Sequence, residues 1–461
     1  MGNTKDHVEA YAYEGRRQAT SLLRGADEAA VDPRRRINRG AATGLVIAVL
    51  VMAGFGIAGW LGAGSGPGLP DSGAVIVRDT GDTYVAVDGV VHPALNVTSA
   101  LLVGGGQVTH VKASALAGKQ RGLPIGIPNA PNSLPGKEKL TNAPWTACAV
   151  PAEGNLAPPV DLVIGAPAPA EGRLAPDAAI VVRNAAGREW LIMQGRRFPL
   201  EPNARRQLDL QFAPVVTLPD QVIATVPEGP VIAAPTVAGQ GGRSTVDVPG
   251  TTGQIGDLVS TSAPGIGDRF SVIQRDGLTR VTPLVFTLLV GNGARVSTVD
   301  PSVVARAPVS ALPAPGSPAW PDVKPRSANP MRGQPVCVST TPGAAPGNAA
   351  WIVEVSQPSR VPSPPGFSPV AVRDVQGVLR SIVIAPGTGA VIKAVSSSGQ
   401  DGAITLITDA GLRYPIPPGD AVQRLGYDPA ALRGVPKSFV ELLPAGPVLD
   451  PEAARREFPG V

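Results

Sequence analysis

The sequence predicts an α+β chain: an N-terminal cytoplasmic helix, a single transmembrane helix, and an outer region of four small ββα repeats around a central β-rich domain that a disulfide would link. Three observations predict it. A charge-free run extends from Gly40 to Leu61, and no charge follows until Asp71. Gly (55) and Pro (51) make up nearly a quarter of the 461 residues, which excludes long helices elsewhere. A line of two β-rich runs, a Gly turn and a Pro recurs along the chain.

The N-terminal segment, residues 1–39, carries the first helix. From His7 to Arg24, Val8, Tyr11, Ala12, Ala19, Leu22 and Leu23 recur near the 3.6-residue period. Gly25 and the Asp32–Pro33 pair stop it. Such a short helix is marginal alone in water, so it needs a partner protein or a lipid headgroup layer. Its basic residues fit an anionic inner leaflet.

Residues 40–62 are apolar on all faces and long enough, at about 1.5 Å per residue, to cross a hydrocarbon core of about 30 Å. Arg34, Arg35, Arg36 and Arg39 precede them, and no Lys or Arg follows closely. The positive-inside rule puts the N-terminus in the cytoplasm and the bulk of the chain outside, with Trp60 at the outer interface. A cleaved signal peptide would have a shorter apolar segment and an A-x-A site. Gly40, Gly44 and Ala48 fall four apart, a spacing that lets helices approach closely.

Beyond the 63–73 linker, AVIVRDTGDTYVAVDGVVHP (74–93) is echoed by AIVVRNAAGREWLIMQGRRFP (179–199), by a third line ending ITDAGLRYP at 415, and by FSVIQRDGLTRVTP (270–283). The turn positions are Gly89 with Pro93, Gly195 with Pro199, Gly411 with Pro415, and Gly277. The Gly supplies positive φ and the Pro fixes the strand exit. Pro128–Pro131, Pro227–Pro230 and Pro444–Pro447 share P-x-[AG]-P and read as the closing segment, with Pro313-Ala314-Pro315 as its remnant. The repeats span 74–136, 179–236, 258–316 and 393–451. Two-stranded units cannot stand alone. The intervening 137–178 and 317–392 read as two parts of the central domain, each holding one cysteine, and 452–461 reads as a frayed tail.

Cys148 and Cys337 both lie on the outer side, where an oxidising compartment favours pairing; two separate buried thiols are the alternative. Pairing them would close a loop of over a hundred residues, for which the chain-entropy model allows up to about 5 kcal/mol. The outer part has 32 Lys/Arg and 30 Asp/Glu, a balance that gives no footprint for nucleic acid.

Sites for chemistry are missing from the sequence. There is no G-x-x-x-x-G-K-[ST], no G-x-S-x-G and no H-E-x-x-H. Outside the cell only His92 and His110 remain, and His92 stands where other repeats have Phe198 and Tyr414, as a packing residue would. No catalytic, cofactor-binding or metal-binding residue is assigned.

Along nearly its whole length the chain resembles the EccB family, a membrane core component of the actinobacterial type VII (ESX-type) secretion system. The residues that carry the resemblance are YAYEGRRQATSLLRG, DPRRRINRG before the span, AVIVRDTGDTYVAVDGVVHPALNVTSA after it, RGLPIGIPNAPNSLP, WTACAVP around Cys148, DGLTRVTPLVFTLL and VPKSFVELLPAGPVLDP. The resemblance implies four periplasmic repeats, one disulfide between Cys148 and Cys337, and a single-pass inner-membrane protein. It implies assembly with an FtsK/SpoIIIE-type motor ATPase and other membrane subunits, and self-association through the periplasmic region. Some members are described as ATPases, so ATP is the one cofactor the resemblance suggests. An envelope ATPase or a cell-wall-binding module are the alternatives to a structural subunit, although aromatics at 4% leave few surfaces for stacking sugars.

Overall fold

A three-two-one-four strand order recurs in four of the five sheets formed by the described residues of the computed structural model. Those residues are 4–24, 34–60, 68–151, 158–265, 267–331, 333–343, 351–371, 378–396 and 401–458. The first unit has strands Gly73–Val77, Thr83–Val87, Val90–Pro93 and Val108–Val111. The second has Ala178–Arg183, Glu189–Met193, Arg196–Pro199 and Val215–Thr217. The third has Leu258–Ala263, Gly267–Gln274, Gly277–Val281 and Val296–Thr298, and the fourth Gly389–Val395, Asp401–Thr408, Arg413–Ile416 and Arg433–Pro436. In each unit the first three strands form an antiparallel meander. A short helix follows: Val97–Gly104, Ala204–Gln207, Pro283–Gly291 or Ala421–Arg424. In the second, third and fourth units the last strand runs parallel to the first.

Each unit is thus larger than the ββα expected, because what reads as one β-rich run is a tight hairpin. Asp88 and Gly89 (φ 50° and 82°), and Gln194 and Gly195 (φ 51° and 68°), both have positive φ and occupy two-residue turns. Two-residue loops of this kind match the twist of the flanking strands. Gly277 and Gly411 do not repeat this geometry. Gly277 is a strand residue paired with Gln274, and Gly411 (φ 74°) sits in a wider turn between Ile407 and Arg413. Pro93, Pro199 and Pro415 lie opposite Tyr84, Trp190 and Thr405.

The closing segments fall where expected at Pro227 and Pro444 and differ in the first and third units. The third strands bridge in parallel to Arg121, Glu228, Val309 and Ala445, so the equivalent segments start at Gln120, Pro227, Pro308 and Pro444. Backbone N–H groups of Val91, Arg197, Leu278 and Arg413 donate to the carbonyls of those four residues at 2.8–3.0 Å. Pro128–Pro131 lies instead over the first unit's helix, where the Thr98 hydroxyl donates to the Pro131 carbonyl. Pro313 accepts from the Gln274 amide. A ladder and a small residue, not prolines, define the segment. His92, Phe198 and Tyr414 occupy one strand position, opposite Val85, Leu191 and Leu406, and each ring lies against Gly122, Gly229 or Gly446, where a Cβ would overlap it. In the third unit Thr279 and Ser310 stand at these positions, and Asp276 closes the segment by accepting from the Ser310 hydroxyl and the Ala311 N–H.

The fifth sheet is central. Its six strands run Val353–Ser356, Val336–Thr340, Trp145–Ala149, Val160–Ile164, Leu379–Ile384 and Ser368–Ala371 in spatial order. One of its faces shares a core with the second and fourth units, through Trp145, Leu162, Ile180, Ile192, Ile392 and Phe439. The fourth unit packs in turn on the first (Leu406 and Tyr414 with Val85 and Leu102), and the second on the third (Leu191 and Phe198 with Leu284 and Leu288). The strand Gly389–Val395 straddles the expected boundary between 392 and 393. The end of the chain is not frayed through Phe458. Pro451–Ala454 is helical, Ala454 is fully buried, Glu457 bridges Ile125, and the Phe458 N–H donates to the Pro124 carbonyl at 2.8 Å.

By compactness the chain divides into two parts distinct from the sheet units above, Met1–Gly68 with His110–Ala115, and Leu69–Thr109 with Leu116–Val461. The first contains the helices Thr4–Arg24 and Arg34–Trp60.

Gly229→Ala forces a methyl group into the Phe198 ring, and overpacking of this kind costs about 1–3 kcal/mol. Denaturant unfolding of the solubilised protein should show that loss, and Phe198→Leu in the same chain should recover part of it. Hydrogen bonds from Ser310 and Ala311 hold the Asp276 carboxyl below its ordinary range. Its folded pKa is therefore the lower one. Its contribution is complete above about pH 4, the unfolded value, and is lost as pH falls through the folded value. Asp276→Asn should flatten the acid limb of the stability profile.

Candidate functional site

The first candidate is the apolar helix. Arg34, Arg35, Arg36 and Arg39 fall in the opening turns of Arg34–Trp60, so the basic cluster and the span belong to one helix, which ends on Trp60. Gly40–Ile57 is long and apolar enough to cross a membrane, with mean hydropathy 2.2 over 18 residues. Leu45, Val46, Leu50, Met52 and Phe55 are all exposed, as is Ala48. Nothing lies within 4 Å of where a Cβ would stand on Gly40 or Gly44, so this close-approach face is open.

The second is the disulfide. Cys148 and Cys337 face each other in adjacent antiparallel strands and are bonded, with S–S 2.06 Å and Cα–Cα 4.1 Å. Two residues away on the same face, Thr146 and Ser339 share a hydroxyl–hydroxyl hydrogen bond of 2.8 Å. Across the neighbouring strand, Asp161 is opposite Cys148. It is almost wholly buried and is bound by Arg380 and by the Ser381 hydroxyl. The carboxylate raises the Arg380 pKa above its ordinary value. A buried charge survives only when it is paired and hydrogen-bonded. Sequence reasoning passed over Asp161 and Arg380; the signal available was a lone acid inside the apolar strand VDLVI.

Two surface depressions lie elsewhere in the body. One of about 680 Å³ in the second unit is lined by Arg188, Glu189, Glu201, Arg205 and Arg206. Glu189 there is already neutralised by Arg183 at 2.6 Å and Arg205 at 3.4 Å. The Arg188 guanidinium sits 5.2 Å over the Trp190 ring. The other, about 470 Å³, lies beside Asp420, Arg424, Asp450 and Arg455. Among the described residues no group of His, Cys, Asp and Glu could hold a metal ion. His92 is a packing residue whose Nδ1 lies 3.0 Å from the Leu123 carbonyl, and His110 is exposed.

A family model described as Type VII secretion system ESX-1, transport TM domain B matches residues 2–461. The chain belongs to that family. It is 28% identical over 479 residues to the ESX-3 secretion system ATPase EccB3 of Mycolicibacterium smegmatis, covering 97% of this chain and 89% of that protein. It is 29% identical over 329 residues to the ESX-5 secretion system ATPase EccB5 of Mycobacterium tuberculosis, covering 67% of this chain but only 63% of that protein's length. Among solved structures, the EccB3 dimer from the ESX-3 core complex matches with TM-score 0.68 at 25% identity, over 83% of this chain and all of that one. A chain of an intact ESX-5 inner membrane complex matches with TM-score 0.66 at 25% identity, over the whole of this chain and 96% of that one.

The buried cross-strand disulfide ties segments 189 residues apart. Cys337→Ser should lower unfolding stability by about 2–5 kcal/mol, read by denaturant titration. The native chain should take up no alkylating reagent at sulfur before reduction.

Proposed function

We propose that this chain is a membrane-anchored structural subunit of a type VII secretion complex. It holds a large extracytoplasmic body to the inner membrane and assembles there with an FtsK/SpoIIIE-type motor ATPase, with other membrane subunits and with copies of itself. The observation that carries the reading is one apolar helix with an open surface, followed by a body built as four like-ordered sheets around one disulfide-linked sheet. Membership of the family, and likeness to chains of an ESX-5 inner membrane complex and an EccB3 dimer, support it. We read the four sheets as copies of one repeated unit.

The orientation follows from charge and redox chemistry together. The four arginines before Gly40 favour the cytoplasmic side. The disulfide favours an oxidising compartment for the body. A periplasmic body with a cytoplasmic N-terminal helix satisfies both.

The relatives' names support a second reading, ATP hydrolysis. Against it, the arginine-lined depression has no glycine-rich loop opening a helix, the usual way backbone N–H groups are aimed at phosphates.

Two measurements test the proposal. Protease added to intact spheroplasts should digest the body and spare residues before the span; the opposite pattern overturns the orientation. Affinity purification from detergent-solubilised membranes should bring down a motor ATPase and further membrane subunits; recovery of the chain alone, with Mg-dependent nucleotide turnover, favours the second reading.

A further inference from the structure

The 189-residue separation between Cys148 and Cys337 contains both the second and the third units. The third unit's clusters are self-contained and one face of the second unit's sheet packs on that unit alone, while the other face of the second unit, with Ile180, Ile192 and Val222, packs in the central core. The cluster around Leu191, Phe198, Leu284 and Leu288, and the two inside the third unit, draw only on residues between Ala179 and Val323. The ends of this lobe are also joined at a neck. A two-residue strand, Arg326–Ser327, pairs in parallel with Ala178 and Ala179 at the start of the second unit. Its N–H groups are used: Arg326 donates to the Asp177 carbonyl at 2.8 Å and Ala328 to the Ala179 carbonyl at 2.9 Å. The Arg326 guanidinium meets the Asp177 carboxylate at 3.0 Å. The central sheet has no such independence, because its core takes residues from Trp145 through Leu443.

We propose that the inserted lobe, residues 178–328, folds before the cysteines meet, and that its neck delivers the Val336–Thr340 strand to Trp145–Ala149 so that thiol oxidation locks the central sheet. With the neck closed, the chain between the sulfurs shrinks from 189 residues to about 40: 29 back from Asp177 to Cys148 and 11 on from Arg326 to Cys337. Closure probability falls as roughly the 3/2 power of loop length, so the folded lobe and its neck together raise the encounter of the two cysteines about tenfold.

Both cysteines are fully buried in the finished sheet, so oxidation has to act before that sheet closes over them. The oxidant is a protein disulfide of the thiol–disulfide exchange class. The Cys148 thiolate attacks one of its sulfurs and releases the other as a thiolate. The Cys337 thiolate then attacks the Cys148 sulfur, and the catalyst leaves as a dithiol. Two electrons pass to the catalyst, and the two thiol protons leave as the thiolates form.

The inference rests on the extracytoplasmic reading of the body for its oxidant, but the order of events is testable apart from it. The full chain, reduced and unfolded and then returned to detergent micelles with oxidised glutathione, is sampled by pulsed hydrogen exchange and by alkylation, both read by mass. Amides of 179–323 should gain protection before the disulfide appears. Cys337→Ser should leave the third unit's protection intact, because its clusters need no residue outside the loop. Arg326→Pro combined with Leu284→Ala and Leu288→Ala removes one neck N–H and cuts into the core that joins Ala179 to Val323, and should slow disulfide formation by up to about tenfold, whereas Leu102→Ala in the first unit should leave it unchanged. Disulfide formation ahead of lobe protection, loss of the third unit's protection in Cys337→Ser, or a wild-type oxidation rate in the triple variant overturns the proposal. Free thiols trapped in intact cells would overturn the extracytoplasmic reading while leaving the refolding order standing.

Discussion

The pairing of Trp145–Ala149 with Val336–Thr340 is the constraint on which the rest depends. These two strands and the adjoining Val160–Ile164 are buried at every position. One face supplies the floor on which the second and fourth units rest. Without that floor Ile180, Ile192, Ile392 and Phe439 would face water, at a cost of about 1.5–3 kcal/mol each. The opposite face holds the disulfide, the Thr146–Ser339 pair and the Asp161–Arg380 pair. The paired polar groups thus gather on one side of the sheet, beside a small apolar cluster of Val163, Ala166 and Val383, and strand register sorts the two sides.

The four outer sheets solve a common problem in one way. A three-stranded meander leaves its third strand with an open edge, and open edges recruit other strands. Each unit covers that edge with its own closing segment, held by backbone hydrogen bonds. In three units an aromatic or imidazole ring seated on a glycine sets the approach, and in the third a carboxylate does so. The central sheet manages its edges differently. Residues near Arg173 bridge Ser356 on one side, and on the other the edge strand Ser368–Ala371 carries Pro369, which has no N–H to offer.

The anchor follows a different physics from the body. Its helix buries none of its apolar window within the protein, so its side chains are left to lipid or to another helix. The open small-residue face permits a close neighbour and does not choose one. In the body, by contrast, few large apolar side chains are left outside. Phe212, Val309 and Met331 are among the exceptions, scattered through loops. Scattered exposure of that kind is ordinary for a folded domain.

Local signals in the chain determined the span, the basic cluster before it, the recurrence of Gly89 and Gly195 as turn glycines, and the cysteines as joinable partners. Charge, hydropathy and positive φ act within a few residues, so a linear reading can find them. Tertiary structure alone decided the fourth strand of each unit, the true closing segments at Gln120 and Pro308, the docking of Glu457 and Phe458 on the first unit, and the burial of Asp161. Each of these depends on a partner far along the chain, a backbone group in most and the Arg380 and Ser381 side chains for Asp161. Such pairings leave little trace in local composition, because a hydrogen-bond ladder uses main-chain atoms that every residue shares.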